Sequence, residues 1–147
     1  RALQFARETC FMENISIAHF TLSRAYAATG KLIRAMQEAE VSLNMMKQFG
    51  DTRSQAILHQ QISEINYKLS RFDKALDFAT ASLRLYLTLD LKFNAAVLYG
   101  NIGAIWLKKN KPLKARLAWE KALEISKLIS HPSLVENFSM RLSTLAA

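Results

Sequence analysis

The sequence predicts an all-α fold in which antiparallel helix pairs stack into a solenoid. The chain of 147 residues contains only 4 glycines and 2 prolines, so it offers few boundaries for turns or strands. It also repeats itself with a fixed period of about 40 residues, which is typical of stacked helical units. Half of its residues are hydrophobic and 22% are charged, a balance that suits a folded domain rather than a disordered tail.

The period is clearest at small side chains. Ala35, Ala75 and Ala115 follow one another at this fixed interval. A second small residue comes seven positions after each of them, at Ser42, Ser82 and Ala122. Upstream, a large apolar residue precedes a small one at the same interval, in the pairs Leu22-Ser23, Ile62-Ser63 and Ile102-Gly103. We therefore expect two helices in each repeat, with one small contact position on the first and a spaced pair on the second.

Turn residues divide the chain into helices expected at about 1–9, 13–29, 31–48, 52–69, 71–88, 91–109, 112–129 and 133–146. Gly30 and Asn110 are expected to take the left-handed conformation that ends a helix. Pro112 suits the first turn of the helix that follows. The corresponding units are the end of a preceding repeat (1–12), three repeats (13–50, 51–90 and 91–131) and the first helix of a further repeat (132–147).

The repeats are expected to begin at capped helix ends. Asp51 and Asp90 are candidates for the N-cap position, where a carboxylate accepts a bond from a free backbone N–H. Ser133 and Glu136 have the spacing of a capping box.

The repeated small residues predict where two helices approach closely. A side chain larger than alanine or serine would hold the backbones apart, and a large partner residue fills the space beside it. The expected contact points are Ser23, Ser63, Gly103, Ala35, Ala75 and Ala115. The expected fillers are Leu22, Tyr26, Ile62, Ile102, Trp106 and Trp119.

These positions resemble the tetratricopeptide repeat, most fully where the segment 99–106 (Tyr-Gly-Asn-Ile-Gly-Ala-Ile-Trp) is followed by Ala115, Trp119 and Ala122. The other repeats depart from the family pattern at His19, His59, Ala39, Ala79 and Asn66. The ordinary repeat of this family has a period of about 34 residues, so this chain looks like a version with a longer period. The resemblance implies a right-handed superhelix whose first helices line a concave groove.

Motifs that carry chemistry are absent from the sequence. It contains no CxxC, no HExxH and no glycine-rich phosphate loop, and its single cysteine is Cys10. His19 and His59 occupy equivalent positions and could form a metal pair or a pH switch, but packed histidines are the simpler interpretation. We expect no enzymatic activity, no cofactor and no metal. The chain also lacks an apolar run long enough for a membrane span, which favours a soluble, cytoplasmic protein.

The charges leave two interpretations open. The net charge is +8, and basic residues flank the turn inside each repeat: Arg24, Lys31 and Arg34; Lys68, Arg71 and Lys74; Lys108, Lys109, Lys111, Lys114 and Arg116. Stacking would align them as a ridge that either binds an acidic partner or merely keeps the chain in solution. Nucleic acid is the less favoured partner, because no exposed aromatic residues are interleaved with the charges.

Carried over to this sequence, the resemblance places groove residues at Phe20, Arg24, Gln60, Gln61, Glu64, Tyr67, Lys68, Asn101, Lys108 and Arg141. It implies a scaffold that binds a peptide or partner protein. The family's grip on a chaperone's terminal carboxylate is not expected, because among the corresponding residues only Asn101 agrees. The alternatives are a sensory or regulatory segment of a larger signalling or transcription-regulating protein, such as a bacterial regulator, and self-association through exposed terminal helices.

Overall fold

The computed structural model describes residues 1–146, and every regular element in that range is a helix. The seven helices are α1 (Ala2–Ala28), α2 (Leu32–Phe49), α3 (Thr52–Lys68), α4 (Phe72–Thr88), α5 (Lys92–Lys108), α6 (Pro112–Leu128) and α7 (Pro132–Ala146). The last residue of the predicted unit 132–147 lies outside the described residues.

The helices repeat with the period seen in the sequence. The first helices α3, α5 and α7 begin at residues 52, 92 and 132, and the second helices α2, α4 and α6 begin at residues 32, 72 and 112. Each helix packs against the next one along the chain. The prediction of an all-α solenoid of helix pairs is therefore confirmed, whereas the exact boundaries of the repeats stay a prediction.

Most turns between helices use one residue in the left-handed conformation. Positive φ angles of 53° to 79° occur at Gly30, Ser70, Asp90, Asn110 and Ser130. At the first of these turns the N–H of Lys31 donates to the carbonyl of Tyr26 at 2.9 Å, and the other four repeat this bond. This is the Schellman arrangement, which satisfies the last carbonyls of a helix. The predictions for Gly30 and Asn110 are confirmed, as is Pro112 in the first turn of α6.

The predicted N-caps are confirmed at one position and wrong at two. The Asp51 carboxylate accepts a bond from the N–H of Ser54 at 2.6 Å, and this bond lowers the pKa of Asp51. Asp90 instead occupies the left-handed position that ends α4. Ser133 lies inside α7, and the N–H of Leu134 donates to Nδ1 of His131 at 3.3 Å. In both failures the Schellman turn places the start of the next helix one or two residues away from the predicted cap.

The expected break between helices at residues 10–12 is wrong, because α1 runs without interruption through this segment. Cys10 occupies the repeat position that Gly50 and Asp90 hold one and two periods later, and both of those residues follow second helices. Residues 9–12 include no glycine, proline, asparagine or aspartate that would stop a helix. The helix therefore continues, and it leaves Leu3, Phe5 and Phe11 between 64% and 69% exposed.

The predicted close contacts between paired helices are confirmed. Ala35, Ala75 and Ala115 are fully buried, and the small residues opposite them on the first helices are buried as well. The Ser63 hydroxyl donates to the carbonyl of Ala75 at 2.7 Å, and Ser23 makes the equivalent bond to Ala35. The small residues thus bring the backbones of the two helices within reach of a single hydroxyl.

Leu22 was predicted to fill the space beside a close helix contact, and this prediction is wrong. It is 45% exposed, whereas Ile62 and Ile102 at the equivalent positions are nearly or fully buried. Ile62 packs into a cluster with residues of α2, and Ile102 into a cluster with residues of α4. A residue at this position therefore needs the second helix of the preceding pair, and within residues 1–146 no helix precedes α1.

Candidate functional site

A cleft on the side of the first helices brings together side chains from three repeats. Together with the open solvent at its mouth it has a volume of about 780 Å³, and its walls come from α3, α5 and α7. The lining residues are Ser63, Glu64, Tyr67, Lys68, Asn101, Ala104, Ile105 and Arg141. Half of the ten residues predicted for the groove, namely Glu64, Tyr67, Lys68, Asn101 and Arg141, therefore meet in one cleft. We call this cleft the α3–α5–α7 groove.

Helical spacing explains why these residues share one face. On α3 the lining positions are 63, 64, 67 and 68, and on α5 they are 101, 104 and 105. Residues three and four apart in a helix lie on the same side, so each helix presents one stripe to the groove. Arg141 stands one full repeat after Asn101, so the same register continues on α7.

The floor of the groove is apolar and the rim is charged. Ile105 is 1% exposed, and the hydroxyl of Ser63 is already engaged with the backbone of α4. Glu64, Lys68 and Arg141 are exposed. An apolar floor within a polar and charged rim is the usual anatomy of a protein interaction site.

Two of the groove side chains are held in place by neighbours. The ring of Tyr67 meets Phe72 edge to face, with centroids 5.7 Å apart. The guanidinium of Arg141 lies 5.6 Å from the ring centre of Trp119, and its Nε donates to Asn137 at 2.8 Å. Side chains that are fixed before binding lose less conformational entropy when a partner arrives.

A chain of hydrogen bonds from the second helix α4 reaches the groove rim. The buried Tyr86 donates its hydroxyl to Oε1 of Gln60 at 3.0 Å, and Gln60 donates from Nε2 to Glu64 at 3.1 Å. A tyrosine phenol is protonated at neutral pH, and burial raises the pKa of Tyr86 further, so its hydroxyl acts as the donor. Gln60, one of the predicted groove residues, therefore positions Glu64 and does not line the groove.

The remaining predicted residues lie outside the α3–α5–α7 groove. Gln61 is buried, with 8% of its surface exposed. On α1, Phe20 packs against the core between α2 and α3, and the guanidinium of Arg24 lies 5.9 Å from its ring centre. Lys108 is exposed at the last residue of α5. The predicted set is thus divided, because the groove is formed by the last three first helices and does not extend to α1.

Sequence reasoning missed the floor residues Ala104 and Ile105 and the positioning role of Tyr86. Ala104 and Ile105 belong to the apolar face of α5, where a lining residue cannot be told from an ordinary core residue by pattern alone. Tyr86 occupies the repeat position that Met46 and Ser126 hold in the other repeats. A tyrosine at this position alone was the feature of the sequence that could have indicated its hydrogen bond to Gln60.

The two equivalent histidines have different surroundings. Nδ1 of His19 lies 2.5 Å from Oε2 of Glu38 on α2, an acidic partner that sequence spacing did not reveal. His59 instead stacks on Phe78, with ring centroids 5.6 Å apart, and burial lowers its pKa, with Lys47 adding to the effect. Among the residues described, no cluster of three or more His, Cys, Asp or Glu side chains could hold a metal ion.

Within residues 1–146, no helix is long and apolar enough to cross a membrane. No protein-family model matches the chain, and no curated protein matches it.

Solved structures do match the chain. BtubC (BKLC) from P. vanneervenii superposes with a TM-score of 0.82 at 19% identity, over 88% of this chain and 54% of that one. The chain therefore spans about half the length of the BtubC structure. The N-terminal domain of stress-induced protein-1 from C. elegans superposes with a TM-score of 0.70 at 14% identity, over 88% of this chain and 95% of that domain. The fold is a tetratricopeptide-like helical repeat.

Proposed function

We propose that this chain is a non-catalytic scaffold that binds a peptide or a segment of a partner protein in the α3–α5–α7 groove. The observation that carries the proposal is the meeting of Glu64, Tyr67, Lys68, Asn101 and Arg141 from three separate helices in one cleft. A site shared by three repeats suits an elongated ligand better than a compact one.

The chemistry of the groove matches an extended peptide. The Asn101 amide offers both a donor and an acceptor, as a peptide backbone requires. The face of Tyr67 offers an apolar anchor whose ring already rests on Phe72. Lys68 and Arg141 supply two positive charges against the single negative charge of Glu64, so the groove would favour acidic side chains on the ligand.

The first step of a test is to find a peptide ligand. A display library of random peptides of about twelve residues, which span about 40 Å when extended, can be panned against the intact chain. The affinity of the enriched peptide is then measured by fluorescence anisotropy. Failure to enrich any peptide sequence would count against the proposal.

The second step removes groove side chains. The double variant Tyr67→Ala/Asn101→Ala should raise the Kd of the enriched peptide at least about tenfold, because truncating an anchor costs about 2 kcal/mol. The matched control is Asn44→Ala/Leu87→Ala, which truncates exposed residues on α2 and α4. Both variants should keep the helical circular dichroism spectrum. Equal Kd values for the two variants would exclude this groove as the binding site.

The other functions expected from the sequence stay predictions. A regulatory role within a larger protein would use the same groove with the same ligand. Self-association would use the exposed apolar side chains at the start of α1, where Phe5, Phe11 and Phe49 border a shallow groove.

A further inference from the structure

A second surface, made of residues that do not line the α3–α5–α7 groove, carries positive charges in register. It lies at the N-terminal ends of the second helices α2, α4 and α6. One basic residue occupies the N-cap of each helix and another stands three positions later, in the pairs Lys31 and Arg34, Arg71 and Lys74, and Lys111 and Lys114. All six side chains are exposed. We call this surface the basic edge.

Helix stability does not explain these residues. The N-terminal end of a helix carries a partial positive charge, so cations there are unfavourable and acidic or hydroxyl caps are preferred. None of the three helices has a side-chain hydrogen bond at its N-cap. Basic residues that disfavour the helix therefore recur at the N-terminal end of each of the three second helices.

Neighbouring acidic residues do not neutralise the basic edge. In residues 1–146, none of its six side chains forms an ion pair. The nearby Asp73 is engaged by Lys109. From residue 91 to residue 119 the chain contains six lysines and arginines and no aspartate or glutamate. The positive charge of this surface is therefore available to a partner.

Exposed aliphatic side chains lie between the cations. Ile33 is 54% exposed and Leu113 is 76% exposed, each next to a basic residue of the edge. Ile33 also lines a shallow depression with the turn residues Gly30 and Lys31. Apolar side chains among cations suit a peptide that has both acidic and apolar residues. They make no favourable interaction with the phosphate groups of a nucleic acid.

The aromatic rings of Trp106 and Tyr26 at this surface each have a cation over them, and the guanidinium of Arg34 lies 6.0 Å from the ring centre of Tyr26. Nζ of Lys114 lies 4.3 Å from the ring centre of Trp106, and Nζ of Lys109 lies 5.4 Å from it. Proteins that bind single strands use exposed aromatic rings as stacking platforms. The observations therefore favour protein over nucleic acid as the partner.

We propose that the basic edge binds an extended acidic peptide segment with aliphatic residues between its carboxylates. Packed helices lie about 8–10 Å apart, but α2, α4 and α6 pack on the first helices between them, so their N-terminal ends are farther apart than that. An extended chain advances about 3.3 Å per residue, so a ligand with carboxylates at most of its positions can reach each helix end in turn. The free backbone N–H groups at the three helix ends add further donors for those carboxylates.

The test uses a fluorescein-labelled peptide in which two glutamates and one leucine repeat over about twelve residues. The variant Arg34→Gln/Lys74→Gln/Lys114→Gln removes one charge from each helix end. The control Lys47→Gln/Lys121→Gln/Lys127→Gln removes three charges elsewhere on α2 and α6, including the opposite ends of both helices. Kd is measured by anisotropy at low salt, with the matching glutamine–leucine peptide and an oligo-dT strand as comparisons.

We expect the variant of the basic edge to raise the Kd of the acidic peptide at least about tenfold and the control to change it by less than about twofold. The edge variant should stay folded, because it removes cations that oppose the helix dipole. Equal weakening by both variants would show that net charge alone attracts the peptide. Equal binding of the glutamine–leucine peptide, or tighter binding of oligo-dT, would also overturn the proposal. The acidic peptide should bind the groove variant Tyr67→Ala/Asn101→Ala with an unchanged Kd, which would show that it binds the basic edge and not the groove.

Discussion

The contact between α3 and α4 and the contact between α5 and α6 occupy the same place in their repeats, yet they are filled in opposite ways. In the first, Ser63 donates to the carbonyl of Ala75 at 2.7 Å, and the small residue Ala79 lies farther along α4. In the second, Gly103 has no side chain, and Trp119 stands in the position of Ala79. The Trp119 indole donates from Nε1 to the carbonyl of Gly100 at 3.0 Å.

The difference shows that one repeat position can be small for two reasons. At Ser63 a small side chain lets the hydroxyl reach a backbone carbonyl on the facing helix. At Gly103 the missing side chain makes room for a ring, because a Cβ there would overlap the indole of Trp119. Protein interiors are close-packed, so a larger residue on one helix requires a smaller residue opposite. Glycine and tryptophan therefore form a matched pair that the serine repeats do not need.

The largest expected effect comes from removing the ring. Trp119 is 5% exposed and packs against Phe138 of α7, so Trp119→Ala opens a cavity between α5, α6 and α7 and leaves the Gly100 carbonyl without its indole donor. We expect the free energy of unfolding to fall by about 4 kcal/mol. Urea denaturation followed by circular dichroism measures it. A loss below about 1 kcal/mol would mean that the ring does not fill this contact.

The matched pair can also be tested by adding a side chain. Gly103→Ser should force the indole out of its position and cost about 3 kcal/mol, because overpacking displaces both the ring and the helix. In the Trp119→Ala background the same serine has space and can bond to the carbonyl of Ala115, as Ser63 does to Ala75. The double variant should therefore be at least about 2 kcal/mol more stable than the sum of the single losses predicts. Additive losses in this cycle would contradict the pairing.

Much of the fold could be predicted from the sequence because the period is strict. Small residues such as Ala75 recur at fixed intervals, and a buried contact position tolerates little variation. The ends of the helices were harder, since Asp90 fits an N-cap and a left-handed helix end equally well by residue type. The break expected near Cys10 failed for a related reason, because the period gives the register of a turn and the local residues decide whether the turn forms.

The groove was predicted only in part. A helical register indicates which side chains share a face, and it placed Tyr67 and Lys68 together on α3, whereas the repeat period placed Arg141 level with Asn101. It does not give the depth at which a side chain lies between neighbouring helices, so buried Gln61 was included with the exposed residues. The sequence also could not predict which side chains meet between two helices. His19 on α1 contacts Glu38 on α2, whereas the equivalent His59 on α3 contacts Phe78 on α4.

The smallest expected effect concerns the serine side of the comparison. Ser63→Ala removes the hydroxyl from the Ala75 carbonyl and should lower the free energy of unfolding by about 1 kcal/mol. Thr80→Ala is the control, because its hydroxyl also donates to a carbonyl, that of Leu76, but on an exposed face of α4. There water replaces the lost bond, so stability should change by less than about 0.5 kcal/mol. If urea denaturation gives the same loss for both variants, the buried hydroxyl adds nothing to the contact, and serine would be present at position 63 for its small volume alone.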